Sequence, residues 1–299
     1  MKANAELFLE TKCVLGEGPC WDERRNVLLW VDILKNKLYM YDFFTKKVAF
    51  TVLPECVTSV VCHPFGDYVI TMGRGFYFFN SDTGVLRPIQ HLESHLPNNR
   101  FNDGKCDPLG RYWAGTMDQN GAKFAGSLYV LDKDLQTHKM LENVSISNGL
   151  AWSPDGAIMY YIDTLTNEIV SFKSNFETGL ISDKRTVIHI DKEDGCPDGM
   201  TIDQEGMLWI SHWGGGKVTR WNPDTGDLLQ TVNVPAPYVT SCTFGGKRLD
   251  ELYITTACVD LTEEEVHTYP LSGSVFRIKT TVKGLPSHKF IAARKRMKK

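Results

Sequence analysis

The chain has 299 residues, 42% of them hydrophobic, and a formal net charge of −3. A large core can be buried at that length, while the acidic balance excludes a general nucleic-acid binder, which needs a basic surface to neutralise phosphates. The opening MKANAELFLE lacks the cationic start and apolar run of a secretory leader, and no apolar run approaches the roughly 18 residues that span a bilayer, so the expectation is a cytoplasmic protein with no membrane partner.

In chain order, a unit recurs. DERRNVLLWVD starts at Asp22, HPFGDYVITM at His63, DPLGRYWAGTM at Asp107, SPDGAIMYYID at Ser153, DQEGMLWISHW at Asp203 and GGKRLDELYITTA at Gly245. Four of the six carry a tetrapeptide turn ending in Gly and then a short apolar strand. In the first, Asn26 stands just after the expected glycine, and the last carries one or two extra residues. A second strand follows each, as NKLYMYD, GFYFFNSDTG, GSLYVLDKD, NEIVSFKSNFETG, GKVTRWNPDTG and GSVFRIK, with the Asp, Asn, Thr and Gly turns of hairpins. The anchors are 41, 44, 46, 50 and 42 residues apart. Each period predicts three or four short strands and no long helix, a sheet too small to cover both of its faces except against neighbours around an axis. The prediction is all-β, a six-bladed β-propeller with a central metal site, one domain over residues 1–299, with a basic C-terminal tail from about 288 to 299 whose end, ARKRMKK, reads as a solvated terminus. A pair of β-sandwiches would give similar strand spacing but leaves six similar units unexplained.

Counting back five residues from each anchor gives Glu17, Thr58, Asn102, Asn148, Asp198 and Thr240, all polar. Rotational repetition places them on one ring at one end of the channel. Threonines at strand starts usually bond turn backbone, and Thr58 and Thr240 are read that way. Two carboxylates and an amide near an axis instead need a cation, so Glu17, Asn148 and Asp198 are candidate ligands of one divalent metal, with Ca²⁺, Mg²⁺, Mn²⁺ and Zn²⁺ all compatible. Three protein ligands leave positions open to water or substrate, which suits catalysis. Arg100 and Asn102, in NNRFNDGKCD, offer donors and an acceptor to the hydroxyls or carboxylate of a small polar substrate.

Eight cysteines, at 13, 20, 56, 62, 106, 196, 242 and 258, form no C-x-x-C pair and read as free thiols. No G-x-S-x-G is present, and GGGK at 214–217 lacks the K-[ST] and helix of a phosphate loop. His212 and Trp213 read as core in preference to channel lining.

GEGPCWD at 16–22, NNRFNDGKCDPLGRYWAGTM at 98–117, SNGLAWSPDG at 147–156, PDGMTIDQEGMLWI at 197–210 and TSCTFGGKRLDELYIT at 240–255 together make the chain resemble the regucalcin, senescence marker protein and gluconolactonase family, nearest its regucalcin-like branch, which includes insect luciferin-regenerating proteins. The resemblance implies a six-bladed propeller with one catalytic divalent cation that hydrolyses a sugar lactone. It assigns the metal to Glu17, Asn148 and Asp198, and substrate contacts to Arg100 and Asn102. Asp103 orients the site or shapes its turn. The loop DQNGAKFAG at 118–126 is shorter than in many regucalcin-like members, so Asp118, Gln119 or Asn120 is expected to replace their acidic substrate contact. The mechanism implied is a cation-polarised carbonyl attacked by water, with Asp198 as general base and a cation-activated water as the competing nucleophile. A non-catalytic calcium-binding regulatory propeller, or a hydrolase of organophosphates or other esters, would use the same ligands. The expected assembly is a monomer or weak dimer.

Overall fold

The structure, a computed structural model, describes residues 2–175 and 177–292. Regular structure is nearly all β. The α-helix among the described residues, Glu263–Thr268, is six residues long and opens with a capping box between Thr262 and Glu265. No helix of the described residues is long and apolar enough to cross a membrane.

Each predicted strand–turn–strand unit becomes the first half of an antiparallel meander. One sheet runs Gly16–Asp22, Val27–Asp32, Lys37–Asp42, Lys47–Val52, and the next Val57–Cys62, Tyr68–Met72, Gly75–Phe79, Leu86–His91. Asn99–Cys106, Tyr112–Asp118, Gly126–Leu131 and Thr137–Val144 form a third, and Ser147–Trp152, Ile158–Asp163, Glu168–Ser174 and Ile181–His189 a fourth. The other strands make a nine-stranded sheet whose two arms join through one residue pair, Trp213 opposite Tyr238. One arm holds Cys196–Ile202, Leu208–Trp213, Lys217–Trp221 and Leu228–Asn233, with Lys2–Asn4 added in parallel. The other holds Tyr238–Gly245, Glu251–Ala257 and Val275–Lys279, and takes its fourth strand, Glu6–Leu9, from some 270 residues earlier in the chain.

The first strands of these groups, hereafter the axial strands, each pack against the next, and Tyr238–Gly245 returns to Gly16–Asp22, closing a ring. Hydrophobic clusters fill the wedges between neighbouring sheets. Leu29, Val31, Val60 and Ile70 meet in one wedge, Val69, Phe101 and Tyr112 in the next, and Trp21, Trp30, Tyr253 and Val275 where the last sheet meets the first. The sheets thus stand as propeller blades, each burying its faces only against its neighbours.

The turn chemistry behaves as its residue types require. Gly66, Gly110, Gly156 and Gly206 all have positive φ, between 72° and 102°, and Asn26 takes the same region at 55°. In the longer last repeat Leu249 holds a left-handed corner at φ 55° as well. The anchor aspartates do more than turn the chain. Asp203, fully buried, accepts the backbone N–H groups of Glu205 and Met207 on Oδ1, and Trp209 Nε1 at 2.9 Å and Arg220 Nε at 2.7 Å on Oδ2. Asp107 repeats this with Leu109, Arg111 and Trp113. Asp203→Ala leaves the half-buried Arg220 guanidinium with Glu205 alone and strands the Trp209 indole N–H and two turn amides, so a loss of about 2–3 kcal/mol in urea unfolding is expected. A midpoint unchanged from wild type would remove the buttress role.

Past the last sheet the chain crosses the face opposite the ring residues. Gly284 bridges to Asp203, Phe290 is buried among Val61, Phe101 and Tyr112, and the Phe290 N–H donates to the Cys62 carbonyl at 2.9 Å. Residues 288–292 of the expected tail are therefore docked, and the basic run ARKRMKK, 293–299, lies outside the described residues.

Candidate metal and substrate site

The six ring positions share a backbone device. Every axial strand changes register against its partner at or across its ring residue: between Glu17 and Cys20, Val57 and Ser59, Phe101 and Gly104, Asn148 and Leu150, Pro197 and Met200, and Val239 and Ser241. A β-bulge interrupts the ladder and bends the strand, and here it does so at or directly after each ring residue, the place where a side chain can be re-aimed towards the axis. The glycine that follows permits the close approach of neighbouring axial strands. A Cβ on Gly149 would lie 2.8 Å from the Asp198 carbonyl oxygen, and one on Gly199 2.1 Å from Ser241 Oγ.

All of the ring residues are buried. Thr58 and Thr240 are occupied structurally, Thr58 Oγ1 lying 2.7 Å from Thr71 Oγ1 and Thr240 Oγ1 donating to the Gly16 carbonyl at 2.5 Å. Asn102 and Asn148 are linked to each other and to Arg100. Arg100 Nη1 donates to Asn102 Oδ1 and to the Phe101 carbonyl, each at 2.8 Å, and Asn102 Nδ2 donates to Asn148 Oδ1 at 3.2 Å. Asn148 Nδ2 donates to Thr164 Oγ1 at 2.8 Å, which fixes its amide plane. Sequence reasoning missed Thr164. It also missed Glu93, a buried acid that accepts Asn99 Nδ2 at 2.8 Å, next to Arg100, while holding Thr116 and the Tyr129 hydroxyl. Neither sits at a repeat anchor, so periodicity gave no signal for either.

Three acids, Glu17, Asp103 and Asp198, are buried here with Arg100 as the guanidinium among them. Burial, and then the charge of Asp103, pushes the Glu17 carboxyl up to about 8, against the pull of the Gly18 N–H at 2.8 Å. Burial drives Asp198 well above the carboxylate range, with Glu17 and Asp103 adding repulsion. Asp103 is raised by burial and restrained by Lys105 and by the Gly104 N–H at 2.7 Å. Its carboxylate both shapes the bulge and lines an axial cavity below the ring. Burial also lowers Arg100 from its ordinary value.

Asp198 Oδ1 is buried without a hydrogen-bond partner. An orphaned carboxylate oxygen is costly in a protein interior unless a cation meets it. Among the described residues no group of three or more His, Cys, Asp or Glu side chains is placed to hold a metal, so a cation here would rely on an amide oxygen beside carboxylates. Glu17, Asn148 and Asp198 fit that description as a hard, all-oxygen donor set.

Asp118 and Asn120 lie at the rim. Asp118 closes its strand opposite Asn99, and its Oδ1 accepts the Asn120 and Ala122 N–H groups at 2.7 and 3.2 Å. Asn120 is exposed, and Gln119 bonds the Asn98 carbonyl. The turn leaves Asp118 Oδ2 with no hydrogen bond among the described residues. His212 is core: it is fully buried between the Asp194 carbonyl, 3.0 Å from Nδ1, and Thr219 Oγ1, 2.6 Å from Nε2, and burial lowers it to about 4. All eight cysteines are free.

Residues 15–258 match a family described as SMP-30/Gluconolactonase/LRE-like region. Regucalcin of Oryctolagus cuniculus is 41% identical over 291 residues, covering 95% of this chain and 97% of its own. A Bacillus subtilis protein with the provisional name sugar lactone lactonase YvrE is 41% identical over 273 residues, covering 91% and 94%. A crystal structure of a calcium-binding protein, regucalcin, from Agrobacterium tumefaciens superposes with a TM-score of 0.92 at 30% identity, over 97% of this chain and 98% of that one.

Proposed function

We propose that this chain, which belongs to the SMP-30/Gluconolactonase/LRE-like family, is a six-bladed propeller enzyme that opens sugar lactones with the help of one divalent cation. The observation that carries the reading is the unpaired, buried Asp198 Oδ1 among acids that repel one another. Glu17, Asn148 and Asp198 would hold the cation, as Ca²⁺, Mg²⁺, Mn²⁺ or Zn²⁺. When bound, it would polarise the lactone carbonyl and keep the neighbouring acids ionised.

The chain's own groups do the rest. A lactone is an activated cyclic ester, so the site needs only to orient it and supply water. Arg100 spends Nη1 on Asn102 and Phe101, which leaves the remaining N–H groups of its fork for ring hydroxyls. Asn102, tied to Arg100 and Asn148, is held at the angle such a contact needs. Asp118, with Oδ2 outside its turn, and the exposed Asn120 serve as rim contacts. Asp198, ionised, accepts the proton of the attacking water as general base.

The test is hydrolysis of a panel of five- and six-membered sugar lactones by protein stripped with a chelator and then reloaded with each ion. Turnover that returns only with a cation is expected. Full activity of the stripped protein would sink the proposal. Calcium binding with no turnover of any lactone or simple ester would favour a binding protein instead, a reading that the name of the Agrobacterium tumefaciens relative invites.

A further inference from the structure

The axial cavity below the ring is lined by Asp103, Lys105, Thr201, Ser241 and His288, among others, and is crossed by one side chain that the chemistry above leaves unused. Lys105, on Asn99–Cys106, donates from Nζ to the carbonyl of Met200, on Cys196–Ile202, at 2.6 Å. These two axial strands are not neighbours, since Ser147–Trp152 packs between them. The lysine therefore ties the ring across its interior. Met200 ends the register shift that begins at Pro197, the bulge that aims Asp198 at the axis. An axial strand has no ladder partner on its inner edge, so carbonyls that face the channel must find donors there.

Resting on the cation reading of this site, we propose that Lys105 is a positioning residue: seated on the Met200 carbonyl, it holds the Pro197–Met200 bulge so that Asp198 points at the cation. The same ammonium also brings a positive charge towards the ring, and that charge opposes cation binding. The two effects have opposite signs, which makes the assignment testable. If the tether dominates, removing Lys105 weakens cation binding; if only its charge matters, removal tightens it.

The experiment titrates Ca²⁺ and Mn²⁺ into cation-free wild type, Lys105→Met and Lys105→Arg by calorimetry, with hydrogen exchange over residues 196–202 and lactone kcat and KM alongside. Lys105→Met is expected to weaken both ions about tenfold or more, in the range seen for groups that orient metal ligands. Exchange over 196–202 rises in the cation-free protein, kcat falls more than KM changes, and Lys105→Arg recovers most of the affinity. Tighter or unchanged cation binding in Lys105→Met overturns the proposal, including when its melting temperature falls. Should Lys105→Met not fold, Lys105→Ser, which is too short to reach the Met200 carbonyl and admits water to the polar cavity, is titrated instead, and an affinity equal to or above wild type overturns the proposal. Wild type that binds neither ion removes the reading of the site and this assignment with it, whereas wild-type binding with an unaffected variant removes only the role of Lys105.

Discussion

Asp198→Ala loses lactone turnover by about 10²- to 10⁴-fold, the range expected for a general base, and loses divalent cation affinity in the same protein. Its fold survives. The cation-free variant melts at or above the temperature of cation-free wild type, because a buried carboxyl with one oxygen unpaired opposes folding unless a cation meets it. Calorimetric titration, kcat/KM on a responsive lactone and thermal unfolding without cation measure the three effects. Turnover kept within a few-fold of wild type would dismiss Asp198 as base and ligand, and a variant that melts far lower would recast its burial as structural.

The second large effect is a pH dependence with opposite signs for stability and for cation binding. Glu17 is lifted from 4.5 to about 8 in the folded, cation-free chain, so between those values the native state holds a proton that the unfolded state has released. Stability from this group is complete below pH 4.5 and drains away as pH rises towards 8. Asp198, raised in the same direction, adds to the trend. A cation must displace these protons to reach its oxygens, so its apparent affinity climbs with pH by about tenfold per unit for each proton released, and the share that comes from Glu17 levels off above pH 8. Melting temperatures from pH 5 to 8, with chelator and with saturating calcium, test both signs. A chelated protein that grows more stable across that window would contradict the account of Glu17, as would proton uptake on cation binding.

Repetition made the architecture readable, because each unit carries its own turn, strand and hairpin chemistry and cannot be stable alone. The same periodicity found Glu17, Asn102, Asn148 and Asp198, since bulges recur at equivalent places even though sequence does not announce them. What it could not reach were interactions outside the period. Lys105 sits in NDGK, a stretch already singled out, yet its partner is a backbone carbonyl 95 residues away, and a carbonyl has no side-chain signature. Thr164 acts from the 3-10 turn Thr164–Thr166 and Glu93 from the loop after Leu86–His91, both outside the strands that the repeat sets. Glu6–Leu9 lies before the first repeat and carries none of its turn chemistry, and its role depends on an open edge in the last sheet, far along the chain.

That borrowed strand has a consequence during synthesis. Leu7 and its neighbours are made some 270 residues before their partners in Val275–Lys279. At translation rates of about 5–20 residues per second, the nascent chain spends on the order of ten seconds or more with Glu6–Leu9 unmatched. Throughout that interval an apolar segment is available to the wrong sheet or to another nascent chain. The last sheet is completed by the longest wait of any strand pair among the described residues, so slow elongation or crowding of ribosomes on one message should harm the yield of this protein more than it harms the stability of the finished fold.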